Sequence, residues 1–281
     1  MSTVSTNDPT VLARLRDLCA GDGERLDLLE AALTLSRLRH AEPVDLSPFR
    51  QHVAAMAAEL ADLVRRRGAN PEALAEIIAR SYAYRGDTES YDDLQNADLV
   101  RVVERRKGLP VALSILYLTL ARQQGWQAEG LAFPAHFLIR VGIDGARHVI
   151  DPFNDGAVRD AADLRGLLRQ VAGPEAELSP QHFDPVSDRD VLLRLENNVR
   201  LRLAQREDWA AAAQSLERML AIAPDRPELL FEAGLLNARL DKRRAAIAAL
   251  DRFLAVSGST GEPALRQRAA GLLQELRRGL N

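Results

Sequence analysis

The sequence predicts an α+β protein, with a mixed core of helices and antiparallel sheet followed by an all-α module of repeated helices. Three observations lead there. Before about residue 95, apolar residues recur at nearly helical spacing. Between Ala128 and Asp151 the pattern changes to short strand-like runs around Asp144-Gly145. After Val191 the chain reads as helix throughout, with positions that recur at an offset of 34 residues.

The opening helices are expected at Val11–Ala20, Leu26–Leu38, Phe49–Leu63 and Pro71–Ser81. Asp8-Pro9, Ser47-Pro48 and Asn70-Pro71 supply starts, a capping side chain followed by a proline whose missing N–H costs nothing there. Tyr84–Asp93 is polar and reads as a loop. Pro110–Gln124, bounded by Gly108 and Gly125, is apolar on every face, as a buried central helix must be. Ala128–Phe133, His136–Val141 and Arg147–Asp151 read as strands, the last two joined by a hairpin at Asp144-Gly145. One more helix is expected near Ala162–Val171. Pro174–Asp190, rich in Pro, Ser, Asp and Gln, reads as a linker. The resulting division is a first domain over 1–185, helical to about 95 with its core over about 96–173, and a repeat module over 191–281.

Composition narrows the function. The 281 residues are 47% hydrophobic and 27% charged, which is globular composition, and the net charge of −3 does not favour nucleic acid or an anionic membrane. Val111–Ala121, the longest apolar stretch, is too short to span a bilayer. The N-terminus lacks the basic flank and apolar core of a secretory signal, so the cytoplasm is the expected location. Cys19 is the single cysteine, so no intramolecular disulfide or Cys-rich metal site can form. His40, His52 and His182 show no ligand spacing, and neither a metal nor a cofactor is expected.

In the tail, the 34-residue offset relates Ala212 to Ala246, Leu216 to Leu250, Met219 to Phe253 and Leu220 to Leu254. This is the period of the tetratricopeptide repeat, and these places pack the second helix of a pair on the first. Pro224 ends the first repeat, Gly234 stands where the second needs a small residue, and Ala264–Leu280 reads as a capping helix. The module implies a protein or peptide partner. The motif's groove-facing places fall at Arg194, Asn197 and Leu201, then at Glu228, Phe231 and Leu235. Arg194 and Asn197 are candidates to hold a backbone or carboxylate, and Phe231 to anchor an apolar side chain. The competing reading is that this face docks on the core domain.

The runs Glu104-Arg-Arg-Lys-Gly-Leu-Pro-Val-Ala-Leu-Ser-Ile-Leu-Tyr117, Pro134-Ala-His-Phe-Leu-Ile-Arg-Val141 and Ile150-Asp-Pro-Phe-Asn-Asp-Gly156 resemble the transglutaminase-like superfamily in its bacterial SirB-type branch. The resemblance implies a papain-like core followed by tetratricopeptide repeats. Active members carry a Cys–His–Asp triad, with cysteine opening the buried helix. The histidine position matches His136 and the aspartate position Asp151, but the cysteine position carries Pro110. The resemblance therefore implies a pseudoenzyme, a protein-interaction or regulatory factor without thiol chemistry. The alternative is a hydrolase or acyltransferase in which His136 and Asp151 serve another nucleophile or water.

The residues can also be read directly. A two-residue turn at Asp144-Gly145 makes paired positions sum to 289, so Leu138 faces Asp151 and His136 faces Phe153. His136 and Asp151 would then be diagonal neighbours on one face, within reach of a hydrogen bond, with Phe137, Ile139, Val141 and Ile150 on the other, apolar face and His148 on the face away from His136. Ser114, one turn after Pro110, is expected to bond to its own helix, and Cys19 to be a small apolar filler.

Overall fold

The computed structural model describes residues 7–21, 25–134, 136–258 and 262–278. They form two compact units: Gly21–Leu195, and the segments Met1–Ala20 and Glu196–Asn281 together.

The first unit is built around one helix. α1 (Pro9–Leu18) belongs to the other unit; here α2 (Leu28–Arg37), α3 (Ser47–Arg67), α4 (Glu72–Ala75) and α5 (Leu99–Arg105) pack on α6 (Pro110–Gln123). α6 is buried without a break from Val111 to Leu118, and again at Leu120 and Ala121. Burying each large apolar side chain contributes about 1.5–3 kcal/mol, so this helix supplies much of the unit's hydrophobic stabilisation. Pro110 occupies its first turn and no side chain caps it; the Leu109 N–H instead donates to the Asn96 carbonyl at 2.9 Å. α4 runs into a π-helical turn at Glu76–Ser81, where a continuous α-helix to Ser81 was expected.

Two strands of two residues, β1 (Arg85–Gly86), in the stretch read as loop, and β2 (Lys107–Gly108), just before α6, pair in parallel. The main sheet contains β3 (Gln127–Leu131), β4 (Leu138–Ile143), β5 (Ala146–Asp151), β6 (Ala157–Arg159) and β7 (Pro185–Val186) in the order β6-β5-β4-β3-β7, every pairing antiparallel. The hairpin register is the expected one, from Ile139↔Ile150 to Ile143↔Ala146. Asp144 (φ 50°) and Gly145 (φ 83°) are both left-handed, as the two-residue turn that matches strand twist requires. Phe137, Ile139, Val141 and Ile150 are all buried, and α6 packs on β3 and β4. Leu131, Phe133 and Leu138 meet Leu164 and Leu168 of α7 (Ala161–Ala172).

The linker expectation for 174–190 needs correction. β7 lies inside that stretch and pairs with β3, because Pro185 and Val186 extend the sheet at its edge, where a proline's missing donor is tolerated. The units divide instead within α8 (Asp188–Gln205), between Leu195 and Glu196.

The second unit holds the remainder of α8, then α9 (Trp209–Ile222), α10 (Pro227–Arg239), α11 (Arg243–Val256) and α12 (Pro263–Arg278). The 34-residue pairs behave as expected: Ala212 and Ala246, Leu216 and Leu250, and Met219 and Phe253 are all buried. Gly234 is small for a reason, since a Cβ there would lie 2.5 Å from Leu250 Cδ2. α12 closes the array by burying Ala269 and Leu273, and the last residues of the expected cap, 279–280, lie outside the described residues.

Residues 7–20, placed by the sequence in the first domain, cluster with the repeats instead. α1 packs on α9 through a stripe of buried Val11, Leu15 and Cys19 at four-residue steps. Asn7 donates to the Gln214 carbonyl at 3.0 Å and accepts from Arg218 Nη1 at 2.9 Å.

Candidate functional site

The site inferred from sequence lies in the first unit, where the start of α6 and the ends of β4 and β5 supply its residues. Pro110 occupies the first turn of α6 and offers neither thiol nor hydroxyl. Ser114 is buried and donates to the Pro110 carbonyl at 2.8 Å, so its hydroxyl is committed to its own helix. Asp151 ends β5 and is 1% exposed. His136 is half-buried in the bend that precedes β4.

The hydrogen bond expected between His136 and Asp151 is not formed. The register was read correctly, but the ladder stops at Ile139↔Ile150, so His136 has left the sheet before it comes opposite β5. The carboxylate has other partners. Arg159 Nη2 donates to Asp151 Oδ2 at 2.9 Å and Asn154 Nδ2 donates to the same oxygen at 2.7 Å, while the Asn154 N–H reaches Oδ1 at 3.3 Å. Arg159 comes from β6, where Val149↔Arg159 and Asp151↔Ala157 are paired, so it is the diagonal neighbour of Asp151. The diagonal partner of Asp151 thus comes from β6 and not from the segment before β4. Ala157-Val158-Arg159 after Asp155-Gly156 was the available signal.

The surrounding loops fix this arrangement. A Cβ on Gly86 would lie 2.6 Å from the Phe153 ring, and Tyr91 meets the same ring edge-on at 5.8 Å. Buried Asp87 accepts from Ser90 Oγ at 2.7 Å and Arg105 Nη2 at 2.9 Å, and Arg105 also donates to Asn96 Oδ1 at 2.9 Å. Burial alone would raise the Asp87 pKa, but the Ser90 N–H and hydroxyl, Arg105 and Lys107 outweigh it and hold the carboxyl below its usual range. Two turns along α6 from Pro110, the buried Tyr117 hydroxyl has no hydrogen-bond partner. Its pKa is pushed up, first by burial and then by the Asp155 and Asp151 carboxylates.

The three residues expected to line a binding face are placed differently. Arg194 lies in the first unit with its guanidinium 5.1 Å from the Phe137 ring centroid, next in sequence to His136; burial lowers its pKa against the opposing effect of Tyr91. Asn197 Oδ1 accepts from Arg200 Nη2 at 2.7 Å, and Arg200 pairs with Glu232. Phe231 is core: it packs on Phe253 with ring centroids 5.2 Å apart, among Leu230, Leu250 and Leu273, so the anchor expected there has no exposed ring to offer. Leu201, from the same set, is 45% exposed.

Three other histidines have structural partners: His40 with Asp98, His52 with Arg106 and His182 with the Ser179 N–H. His148 lies opposite Val141 in the ladder. Among the described residues no cluster of His, Cys, Asp and Glu could hold a metal ion, and no helix is long and apolar enough to cross a membrane.

Comparison with known proteins agrees with this architecture. Residues 47–197 match the family described as transglutaminase-like superfamily, and residues 199–276 match the tetratricopeptide repeat. The chain is 31% identical over 250 residues to a UPF0162 protein of Xylella fastidiosa, spanning 87% of this chain and 89% of the relative. It is 30% identical over 242 residues to a UPF0162 protein of Vibrio cholerae, spanning 85% and 89%. Protein SirB1 of Salmonella typhimurium is 26% identical over 187 residues, spanning 65% and 69%.

Proposed function

The chain belongs to the transglutaminase-like superfamily, in the SirB-type branch whose core is followed by tetratricopeptide repeats, and from that premise we propose that it works without catalysis, as a cytoplasmic protein-interaction or regulatory factor. One observation carries the reading: Pro110, which the family resemblance puts at the nucleophile's place, opens α6 with no thiol or hydroxyl, in a helix start that has no side-chain acceptor capping it. The re-pairing of Asp151 supports it. A triad aspartate orients the histidine through a hydrogen bond, and here that carboxylate is compensated by Arg159. The repeat module supports a protein or peptide partner, since stacked helix pairs present extended surfaces.

An acyl-transfer and ester-hydrolysis assay on the purified protein and on Pro110→Cys tests the proposal. Neither should turn over, because restoring a thiol leaves Asp151 paired with Arg159. Turnover by the unmodified protein that His136→Ala abolishes would overturn the reading in favour of a hydrolase or acyltransferase using His136 and Asp151.

A further inference from the structure

A cleft of about 680 Å³ opens in the first unit, between the π-helical turn after α4 and the turn that joins β5 to β6. Its size falls in the range of small-ligand sites, about 300–1,000 Å³. Glu72 and Arg80 line it from the helical side, Arg85 from β1, and Asp155 from the β5–β6 turn. All four are exposed, and none is in an ion pair among the described residues. Two positive and two negative groups thus share one cleft without neutralising each other.

The floor between them is made of small residues. Ala75, Ala79 and Gly156 line it with little bulk, and the walls hold backbone conformations that cost energy. Ala83 (φ 58°) and Asp155 (φ 55°) are left-handed, and a π turn inside a helix is itself a frequent mark of functional sites. Behind the floor lies an unsatisfied group. The Tyr117 hydroxyl is buried, has no partner, and would be 2.5 Å from a Cβ placed on Gly156, whose own neighbour there is the Ala75 methyl.

We infer that this cleft binds a short peptide with free ends, its carboxylate held by Arg80 and Arg85 and its ammonium by Glu72 and Asp155. The chemistry follows from the lining. Guanidinium groups take a carboxylate in a fork, and carboxylates take an ammonium. A simple anion or cation would meet a like charge as well as its partners, whereas a ligand carrying both signs satisfies the set. The alanine and glycine floor suits small side chains. The cleft adjoins the Asp151 position, since the lining residue Asn154 donates to that carboxylate, but the inference does not depend on the proposed interaction function.

The test is a ligand-observed NMR titration of the full chain with trialanine, N-acetyl-trialanine and trialanine amide. Trialanine should bind saturably at millimolar concentration or below, and each blocked form should bind about tenfold more weakly or worse. Arg80→Gln with Arg85→Gln should weaken trialanine by about as much, with the melting temperature unchanged because both side chains are exposed. Absence of saturable binding by trialanine would overturn the inference. So would equal binding of the blocked forms, a comparison made on the unaltered protein and independent of how any variant folds. Binding that the double arginine variant leaves intact would place the peptide elsewhere and overturn it too.

Discussion

The two units solve the same problem by different means. In the repeat unit, α1 apart, the helices are buried against their neighbours in sequence: α9 on α10, α10 on α11, α11 on α12. In the transglutaminase-like unit the decisive contacts join distant segments. Asp188 receives Arg122 Nη1 and Nη2, each at 2.8 Å, Asp98 is bonded to His40 at 2.9 Å, and Asp87 accepts from Arg105 at 2.9 Å. Where contacts are local, a period in the sequence reports them directly. Where they are remote, a residue's partner is chosen by the fold, as Arg122 is for Asp188.

If the repeat unit owes its stability to local apolar packing, truncating its core should have the largest effect. Phe231→Ala removes a ring held between Phe253 and the Arg268 guanidinium. The expected loss is about 3–5 kcal/mol, as for other large aromatic truncations in cores. Chemical denaturation followed by far-ultraviolet circular dichroism would measure it. A loss below about 1 kcal/mol would mean that the ring packs loosely, and the contrast between the units would fail at its strongest point.

The corresponding test in the other unit is polar. Arg159→Ala leaves the Asp151 carboxylate buried with only Asn154 to bond it. Removing one partner of a fully buried pair costs about 3–5 kcal/mol, but Arg159 is itself 22% exposed at its side chain, so about 2–3 kcal/mol is expected. Asp151→Asn in the same background should recover part of that loss, because the uncompensated charge is then gone. If the double variant is no more stable than Arg159→Ala, Asp151 is not the reason Arg159 matters.

These pairs also explain what the sequence made legible. The 34-residue offset placed Ala246, Leu250 and Phe253 in the core correctly, and Asp144-Gly145 set the hairpin register, because turn chemistry and helical period act over a few residues. The position of Pro110 at a buried helix start was legible for the same reason. The partner of Asp151 was not, since three-residue β6 gives too short a pattern to be read as a strand. Phe231 misled in another way: an aromatic at a groove-facing place in the motif turned inward here, where Leu250, Phe253 and Leu273 leave an apolar site for it. α1 could not be assigned from its own residues, because an amphipathic helix does not specify which apolar surface it covers.

Acid should expose the polar network of the transglutaminase-like unit selectively. Burial would raise the pKa of Asp98, but the His40 hydrogen bond and the Arg39 charge outweigh it, so its folded pKa, like that of Asp87, lies below the ordinary carboxylate value. The sign follows: the stability from these groups is fully present above the unfolded pKa of about 4 and is lost as pH falls through the lowered folded values. The melting temperature should therefore hold from neutral pH down to about 5 and decline below it. Asp87→Asn should flatten that decline. Native-state hydrogen exchange at low pH should show residues 85–108 opening early, and uniform opening across both units would erase the distinction.

The smallest effect compares one device in both units. Asp208 caps α9 by accepting from the Ala211 N–H at 3.1 Å, a purely local bond at an exposed position. Asp98 caps α5 in the same way, accepting from the Val100 N–H at 3.1 Å, but its other oxygen is bonded to His40. Replacing a capping aspartate by alanine typically costs about 1 kcal/mol, so Asp208→Ala should lower stability by that amount. Asp98→Ala also strands the His40 ring, which is only 15% exposed, and should cost about 2 kcal/mol or more. A double-mutant cycle between Asp98→Ala and His40→Ala isolates the long-range part. A coupling energy near zero would show that Asp98, like Asp208, acts only on its own helix, and that the polar contacts of this unit are as local as those of the repeats.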